Sequence, residues 1–181
     1  MVRTLATKIP TDEKEFKECL SDPWWRLTSG QLYKIMVKGD DGEESLVQPF
    51  IPNDAQINLF TNLHTRNNIL KARQLGFTTA IEILFLDCCL FRENVRAAVI
   101  AQSEDVAKTI FRDKVCFAYD NLPPSLKAAM PLGRDSASEL LFAHNNSSIR
   151  VATSARSGTL QRLHVSEFGK ICATSPGKAR E

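Results

Sequence analysis

The sequence predicts an α/β domain built on a largely parallel sheet, and two patterns support this prediction. From residue 66 onward, short apolar segments alternate with longer segments of helical character, which is the arrangement of strand–helix–strand units. The segment VRAAVIAQ at 95–102 is almost wholly apolar, as expected for a strand that is buried on both faces.

The N-terminal residues are predicted to form a polar arm, a helix, a hairpin and a second helix. Residues 11–20 offer Thr11 as a helix cap, followed by acidic side chains in the first turn. Residues 33–50 consist of two apolar runs around GDDGEE, whose glycines supply turn chemistry. The stretch NDAQINLFTNL predicts a short helix that is capped by Asn53 or Asp54.

The remaining elements follow from the same periodicities. A strand, a mostly apolar helix, a second strand and a helix capped by Ser103 are predicted in turn, and then a hairpin and a last strand. Their ranges are 67–72, 78–94, 95–102, 104–122, 139–151 and 159–168. The segment CATS at 172–175 is interpreted as loop.

Composition excludes several classes of function and selects none. The formal charge of the 181 residues is +2, which makes no case for a nucleic-acid or a membrane partner. No apolar run has the length of a transmembrane helix, and the N-terminus lacks the apolar region of a secretory signal. The five cysteines form no C-x-x-C pair. The sequence is therefore typical of a reduced, cytoplasmic chain.

The stretch ILKARQLGFTTAIEI, residues 69–83, is similar to a phosphate-binding loop with a displaced lysine. The usual P-loop reads G-x-x-x-x-G-K-[ST] between a strand and a helix. Gly76 and Thr78 occupy the second glycine and the hydroxyl positions. Phe77 stands where lysine belongs, and Lys71 stands where the first glycine belongs.

This loop has a functional and a structural interpretation. The flexible stem of Lys71 would let its charge reach phosphates from the other side of the loop. The hydroxyl of Thr78 could ligate Mg²⁺ that bridges two phosphates. In the alternative, Gly76 makes a turn, Thr78 caps the helix and Lys71 is solvated.

Two further elements add to the functional interpretation. LHVSEFGK places Ser166 and Glu167 at the end of a strand, where P-loop enzymes carry a Mg²⁺ ligand and the residue that activates water. Glu167 is the candidate general base, or alternatively a surface residue. The amide of Gln56 matches the edge of adenine. Alternatively, Gln56 closes a capping box with Asn53.

Three stretches of the chain follow one another in a particular order: LYKIMVKGDDGEESLVQPFIPNDAQ, ILKARQLGFTT and LHVSEFGK. Together they resemble the large terminase subunit of tailed phages, the ATPase of the DNA-packaging motor. The resemblance implies that Gln56 contacts adenine, that Arg73 stabilises charge on the transferring phosphate and that Glu167 is the catalytic carboxylate. The residues that it assigns to ATP are Gln56, Lys71, Arg73, Gln74, Gly76, Phe77, Thr78 and Thr79. Those assigned to Mg²⁺ are Thr78 and Ser166, the latter through an intervening water, because serine replaces the usual aspartate.

The resemblance also implies a P-loop NTPase of the ASCE type, a three-layer sandwich with a mainly parallel sheet. It divides the chain into an N-terminal arm at 1–32 and a partial ATPase domain at 33–181, which is expected to lack its C-terminal part and the nuclease domain. The implied cofactors are ATP and Mg²⁺. The implied partners are double-stranded DNA, the portal protein and the small terminase subunit, with copies of the chain forming a ring and no membrane involved. The expected location is the cytoplasm of the infected or lysogenic bacterial host.

Two other functions remain open. A truncated terminase fragment could act as a non-catalytic module that binds a partner, which the serine at position 166 favours. A helicase-like P-loop ATPase is the other alternative, although a lysine-first loop with R-Q-x-G favours a terminase.

Overall fold

The computed structural model describes residues 4–37, 46–70, 75–152 and 159–177, and it confirms the α/β class. By its contacts the chain divides into two units, Met1–Ile81 and Glu82–Glu181. Helix α4, Phe77–Phe91, begins in the first unit and ends in the second.

The described residues of the rest of the first unit form two helices, a hairpin and a third helix. They are α1 (Glu13–Ser21), α2 (Pro23–Thr28), β1 (Lys34–Val37), β2 (Leu46–Pro49) and α3 (Asp54–Thr61). Strands β1 and β2 pair antiparallel, which confirms the predicted hairpin, while its turn at 38–45 lies outside the described residues.

The cap of α1 lies one residue later than predicted. Asp12 is the N-cap, and its side chain accepts a hydrogen bond from the backbone N–H of Glu15. Thr11 is occupied otherwise, because its backbone N–H and its hydroxyl both donate to the Glu15 carboxylate. A carboxylate at the helix start accepts the amide and also suits the positive end of the helix dipole.

Two adjacent tryptophans of α2 hold the N-terminal arm. The indole N–H of Trp24 donates to the carbonyl of Thr4 at 2.8 Å, and that of Trp25 donates to the carbonyl of Lys8 at 2.7 Å. Trp25 is buried and packs edge-on against Phe16. The pair therefore anchors the arm against its own helices.

The strand predicted at 67–72 is wrong for its described part. Residues 67–70 carry no strand pairing, and Leu70 is fully exposed to solvent. Apolar character alone does not make a strand, since a strand also needs a neighbour with which to share hydrogen bonds.

In the second unit, the described residues form one sheet with helices. After α4 its elements are β3 (Arg96–Ile100), α5 (Glu104–Ile110), α6 (Phe117–Asp120), α7 (Pro124–Ala129), β4 (Leu132–Ser136), β5 (Glu139–Phe142), β6 (Ser148–Val151), β7 (Arg162–Val165) and α8 (Phe168–Thr174). A π-helical segment, Phe111–Cys116, joins α5 to α6, so the helix predicted at 104–122 is present with a local change of winding. Helix α8 corrects the interpretation of 172–175 as loop, because it covers three of those residues.

The five strands form a mixed sheet in the order β4-β5-β6-β3-β7. Strand β3 pairs parallel with both β6 and β7. The pairings β4–β5 and β5–β6 are antiparallel, which is why the sheet is mixed rather than mainly parallel. The predicted hairpin at 139–151 accounts for one antiparallel pairing, while β4 and α7 were not predicted.

The C-terminus of α4 is held by the turn between β5 and β6. The Asn145 side-chain amide donates to the carbonyls of Cys89 and Arg92, at 2.7 and 2.9 Å. The Ser147 hydroxyl donates to the Arg92 carbonyl at 2.6 Å and accepts from the N–H of Val95. These bonds satisfy carbonyls that a helix end leaves without intrahelical partners.

The core of the second unit is formed by apolar side chains from α4, from the central strands and from the helical segment after β3. Its largest fully buried members are Ile83, Leu86, Leu90, Val99, Phe111, Val115, Leu140, Phe142 and Ile149. Within the described ranges, no helix has both the length and the apolar character needed to cross a bilayer.

Candidate functional site

The predicted phosphate loop leads into α4 through a glycine in the left-handed region. Gly76 has φ +67°, and its carbonyl accepts the first helical hydrogen bond, from the N–H of Ala80 at 3.1 Å. Glycine takes this conformation without strain, whereas a residue with a Cβ atom is disfavoured. The amides of Phe77, Thr78 and Thr79 follow in the first helical turn, where no intrahelical acceptor exists for them.

Gln56 connects α3 to this turn through hydrogen bonds. The N–H of Gln56 donates to the Asn53 side chain and the N–H of Asn53 donates to Gln56 Oε1, each at 3.0 Å, so the capping box proposed as the alternative is present. Gln56 Nε2 in turn donates to the carbonyl of Gly76 at 2.9 Å and to that of Leu75 at 3.4 Å. Both the oxygen and the nitrogen of the Gln56 side-chain amide therefore have hydrogen-bond partners within the protein. The contact of this amide with adenine stays a prediction.

The close approach of Gln56 is a second reason for glycine at position 76. A Cβ atom on Gly76 would lie 2.6 Å from Gln56 Nε2, which is too close for two non-bonded atoms. A side chain at this position would therefore displace the amide from its two carbonyl acceptors.

The other loop residues differ in exposure. The side chain of Phe77 is buried, so the group that it can offer a phosphate is its backbone N–H. Thr78 and Thr79 are half-buried and belong to the helix itself, so Thr78 is not the N-cap that the structural alternative predicted. The predicted ATP ligands Lys71, Arg73 and Gln74 lie outside the described residues.

The predicted acidic strand end lies in the second unit, at the carboxyl end of β7. In the parallel β3–β7 pair, Ile100 is level with Val165, and the N–H of Ser166 donates to the Ile100 carbonyl at 2.8 Å. Ser166 is only 7% exposed. Ligands of α/β proteins bind outside the carboxyl ends of parallel strands, so Ser166 and Glu167 occupy the edge of the sheet that this rule favours.

Glu167 forms the turn between β7 and α8. It has φ +55°, a left-handed conformation that costs a residue with a side chain on the order of 1–2 kcal/mol. Its carbonyl accepts from the N–H groups of Lys170 and Ile171 and so starts the helix. The carboxylate is exposed, which leaves it accessible to water. Strained residues cluster at functional sites, where the surrounding structure holds them in place.

A buried contact between a carboxyl group and an imidazole joins α4 to β7, the strand that precedes this turn. Glu82 of α4 is completely buried, and its Oε1 lies 2.5 Å from Nδ1 of His164 on β7. Burial raises the pKa of the Glu82 carboxyl, and the hydrogen bond with His164 opposes that rise. The strand pattern around His164 does not by itself identify Glu82 as its partner. The available signal was an acidic residue in the middle of an apolar helix.

No protein-family model matches the chain, and a search of curated proteins found no significant match.

Proposed function

We propose that the chain is an ATP-binding and ATP-hydrolysing motor subunit of the terminase type. The observation that carries the proposal is Glu167, an exposed carboxylate held in a left-handed turn at the carboxyl end of a parallel strand. The left-handed glycine turn ahead of α4 supports it independently, because Gly76 directs the chain into a helix start rich in amide donors.

Two described hydroxyls would serve Mg²⁺ in the proposed site. Magnesium prefers hard oxygen ligands and retains several waters, and Thr78 offers a hydroxyl in the first turn of α4. Ser166 would contact Mg²⁺ through an intervening water, because its neutral hydroxyl is a poorer ligand than the usual aspartate. When bound, Mg²⁺ would neutralise charge on the β- and γ-phosphates.

Each residue has a separate task in the proposed reaction. The amides of Gly76, Thr78 and Thr79 would bind phosphate oxygens, and Lys71 would supply the neutralising charge. Glu167 would accept a proton from the attacking water. Arg73 would stabilise negative charge as the γ-phosphoryl group is transferred.

The proposal extends to the architecture and the partners. The parallel strands β6, β3 and β7 with their helices would form part of a three-layer P-loop sandwich of the ASCE type. The expected partners are double-stranded DNA, the portal protein and the small terminase subunit. Copies of the chain would form a ring in the cytoplasm of the bacterial host. The translocated DNA would be held mainly through its phosphates, without sequence preference.

The experiment is a measurement of phosphate release from Mg²⁺–ATP by the wild-type protein, by Lys71→Ala and by Glu167→Ala. We expect turnover in the wild type and background release in both variants. Wild-type turnover in either variant would refute the role of that residue, and an inactive wild type would refute hydrolysis by this chain.

One observation favours a second candidate, a non-catalytic module that binds a partner. The Gln56 amide is already engaged by the carbonyls of Leu75 and Gly76 and by the N–H of Asn53. Binding to the portal protein or the small subunit, measured with and without Mg²⁺–ATP, separates the candidates. The module predicts equal affinities, and the motor predicts affinities that differ.

A further inference from the structure

Glu82 is an acidic residue at a buried position where an apolar side chain would give a more stable protein. It is 0% exposed, and within the part of the chain that the structure describes its second oxygen, Oε2, has no hydrogen-bond partner. A buried polar atom without a partner costs about 1–3 kcal/mol. Replacing a buried polar pair by well-packed apolar side chains is often neutral or stabilising. Stability alone therefore does not account for this glutamate.

The contact of Glu82 with His164 joins α4 to an edge strand. Across the described part of the sheet, β7 is the last strand and pairs with β3 alone. An edge strand has backbone hydrogen bonds on one side only, so its exit is less constrained than that of a central strand. The His164 side chain, 11% exposed, adds a side-chain bond of 2.5 Å to the helix.

The bond acts two residues before Ser166. Side chains two apart along a strand lie on the same face, so a fixed His164 sets the rotation of the strand at Ser166. The next residue is Glu167, whose left-handed conformation depends on how the strand leaves the sheet. An error in that rotation would redirect the carboxylate that the proposed reaction uses.

We propose that Glu82 and His164 are positioning residues that fix the exit of β7 and so aim Ser166 and Glu167. The proposal rests on the proposed function only for the role of Glu167 in hydrolysis. The geometric part, that this side-chain bond orders the turn after β7, holds for the chain with or without ATP.

The test compares the wild type with the double variant Glu82→Leu/His164→Leu, with Glu82→Gln and with Ile83→Val. The double variant removes both polar partners, so it retains packing and loses the directional bond. Glutamine at position 82 can still hydrogen-bond His164, so it is the conservative rescue. Ile83 is fully buried in the same helix and its side chain has no hydrogen-bonding group, so Ile83→Val lowers stability without breaking the pair.

The first measurement is amide hydrogen exchange at Ser166, whose N–H is bonded to Ile100, under native conditions. We expect exchange at Ser166 to be at least about tenfold faster in the double variant. Without the side-chain bond, the turn after β7 can open locally, so the Ser166 amide can exchange without unfolding of the whole domain. Exchange at Val99 in β3 should not change, and Glu82→Gln should match the wild type. Unchanged exchange at Ser166 in the double variant, or equal acceleration in Ile83→Val at matched stability, would overturn the proposal.

The second measurement is ATP turnover by the same proteins. In a wild type that hydrolyses ATP, we expect kcat of the double variant to fall at least about tenfold with KM unchanged, since the general base is misdirected and nucleotide contacts are intact. If exchange at Ser166 is faster in the double variant but its kcat equals that of the wild type, the proposed effect of the pair on catalysis is overturned. A wild type without turnover would refute the proposed function, while the exchange result would still decide whether the pair orders the turn.

Discussion

The two segments with predicted catalytic roles are built in opposite ways. In the turn before α4, polar groups satisfy one another: Gln56 bonds to the helix cap at Asn53 and to the carbonyl of Gly76. At the end of β7, the Glu167 carboxylate is exposed and its backbone is strained. The first segment is therefore stabilised by its own polar residues, whereas the second is held in place by the sheet and α4 despite its strained, exposed glutamate.

The largest expected effect separates binding from chemistry. Because Glu167 is assigned to proton transfer, Glu167→Gln should lower ATP turnover about 100- to 10,000-fold and leave the affinity for a fluorescent ATP analogue unchanged. Lys71→Ala should instead weaken the binding of the analogue. Glu93→Gln, at an exposed glutamate in the same unit as Glu167, is the matched control and should retain wild-type turnover. If Glu167→Gln and Glu93→Gln lose the same amount of ATP turnover, the assignment of proton transfer to Glu167 is contradicted.

The next effect concerns the glycine of the first segment. Gly76→Ala should lower the free energy of unfolding by about 1–2 kcal/mol, because alanine is strained at φ +67° and its Cβ would displace Gln56. Gly169→Ala is the control: apart from its chain neighbours and the backbone of its own helix, no atom of the described residues lies within 4 Å of its Cβ position, and a helical glycine replaced by alanine should gain about 0.5 kcal/mol. Urea denaturation measures both, and a Gly76→Ala protein as stable as Gly169→Ala would contradict the account.

Gln56 tests whether the first segment is held by its polar contacts. Gln56→Ala should cost about 1–2 kcal/mol, since it removes the capping box and the bonds to two carbonyls. Gln48→Ala, at an exposed position of β2, should change stability by less than about 0.5 kcal/mol. A stable Gln56→Ala protein that no longer distinguishes ATP from GTP would show that adenine recognition, rather than capping, is the main role of this residue.

The smallest effect is on thiol reactivity and reports on the second segment. Cys172, in α8 just after the Glu167 turn, is exposed and should react first with a maleimide at about pH 8. Burial, with smaller contributions from Asp135 and Asp120, raises the pKa of the half-buried Cys116 to about 11. Its thiolate fraction at that pH is therefore about one in a thousand. Mass spectrometry should show that Cys172→Ser removes the fast reaction, and persistence of that reaction would contradict the placement of α8.

Local signals predicted two features of the first segment, the capping box and the glycine turn. The spacing of Asn53 and Gln56 predicts the capping box, and Gly76 predicts the turn, because each depends on residues close in sequence. The strand at 67–72 failed in its described part because its apolar residues, including the exposed Leu70, have no sheet neighbour there. Strand β4 was missed for the converse reason: LGRDS has no apolar alternation and is held by pairing with β5.

The second segment was predicted only in part. The apolar alternation of LHV predicts β7, but not its parallel register with β3. The left-handed turn at Glu167 has no sequence signal, since glutamate does not favour that conformation. The bond between Glu82 and His164 joins residues 82 positions apart, so it depends on the packing of α4 against the sheet rather than on any local pattern.

The most direct test of the central claim, nucleotide binding by the loop before α4, is a residue-resolved titration with Mg²⁺–ATP. In ¹H–¹⁵N NMR spectra, the amide signals of Gly76, Thr78 and Thr79 should shift and saturate in the wild type, because their N–H groups would bind phosphate. The same signals should not move in Lys71→Ala. Saturable shifts confined to other residues, or no shifts in the wild type, would contradict the account.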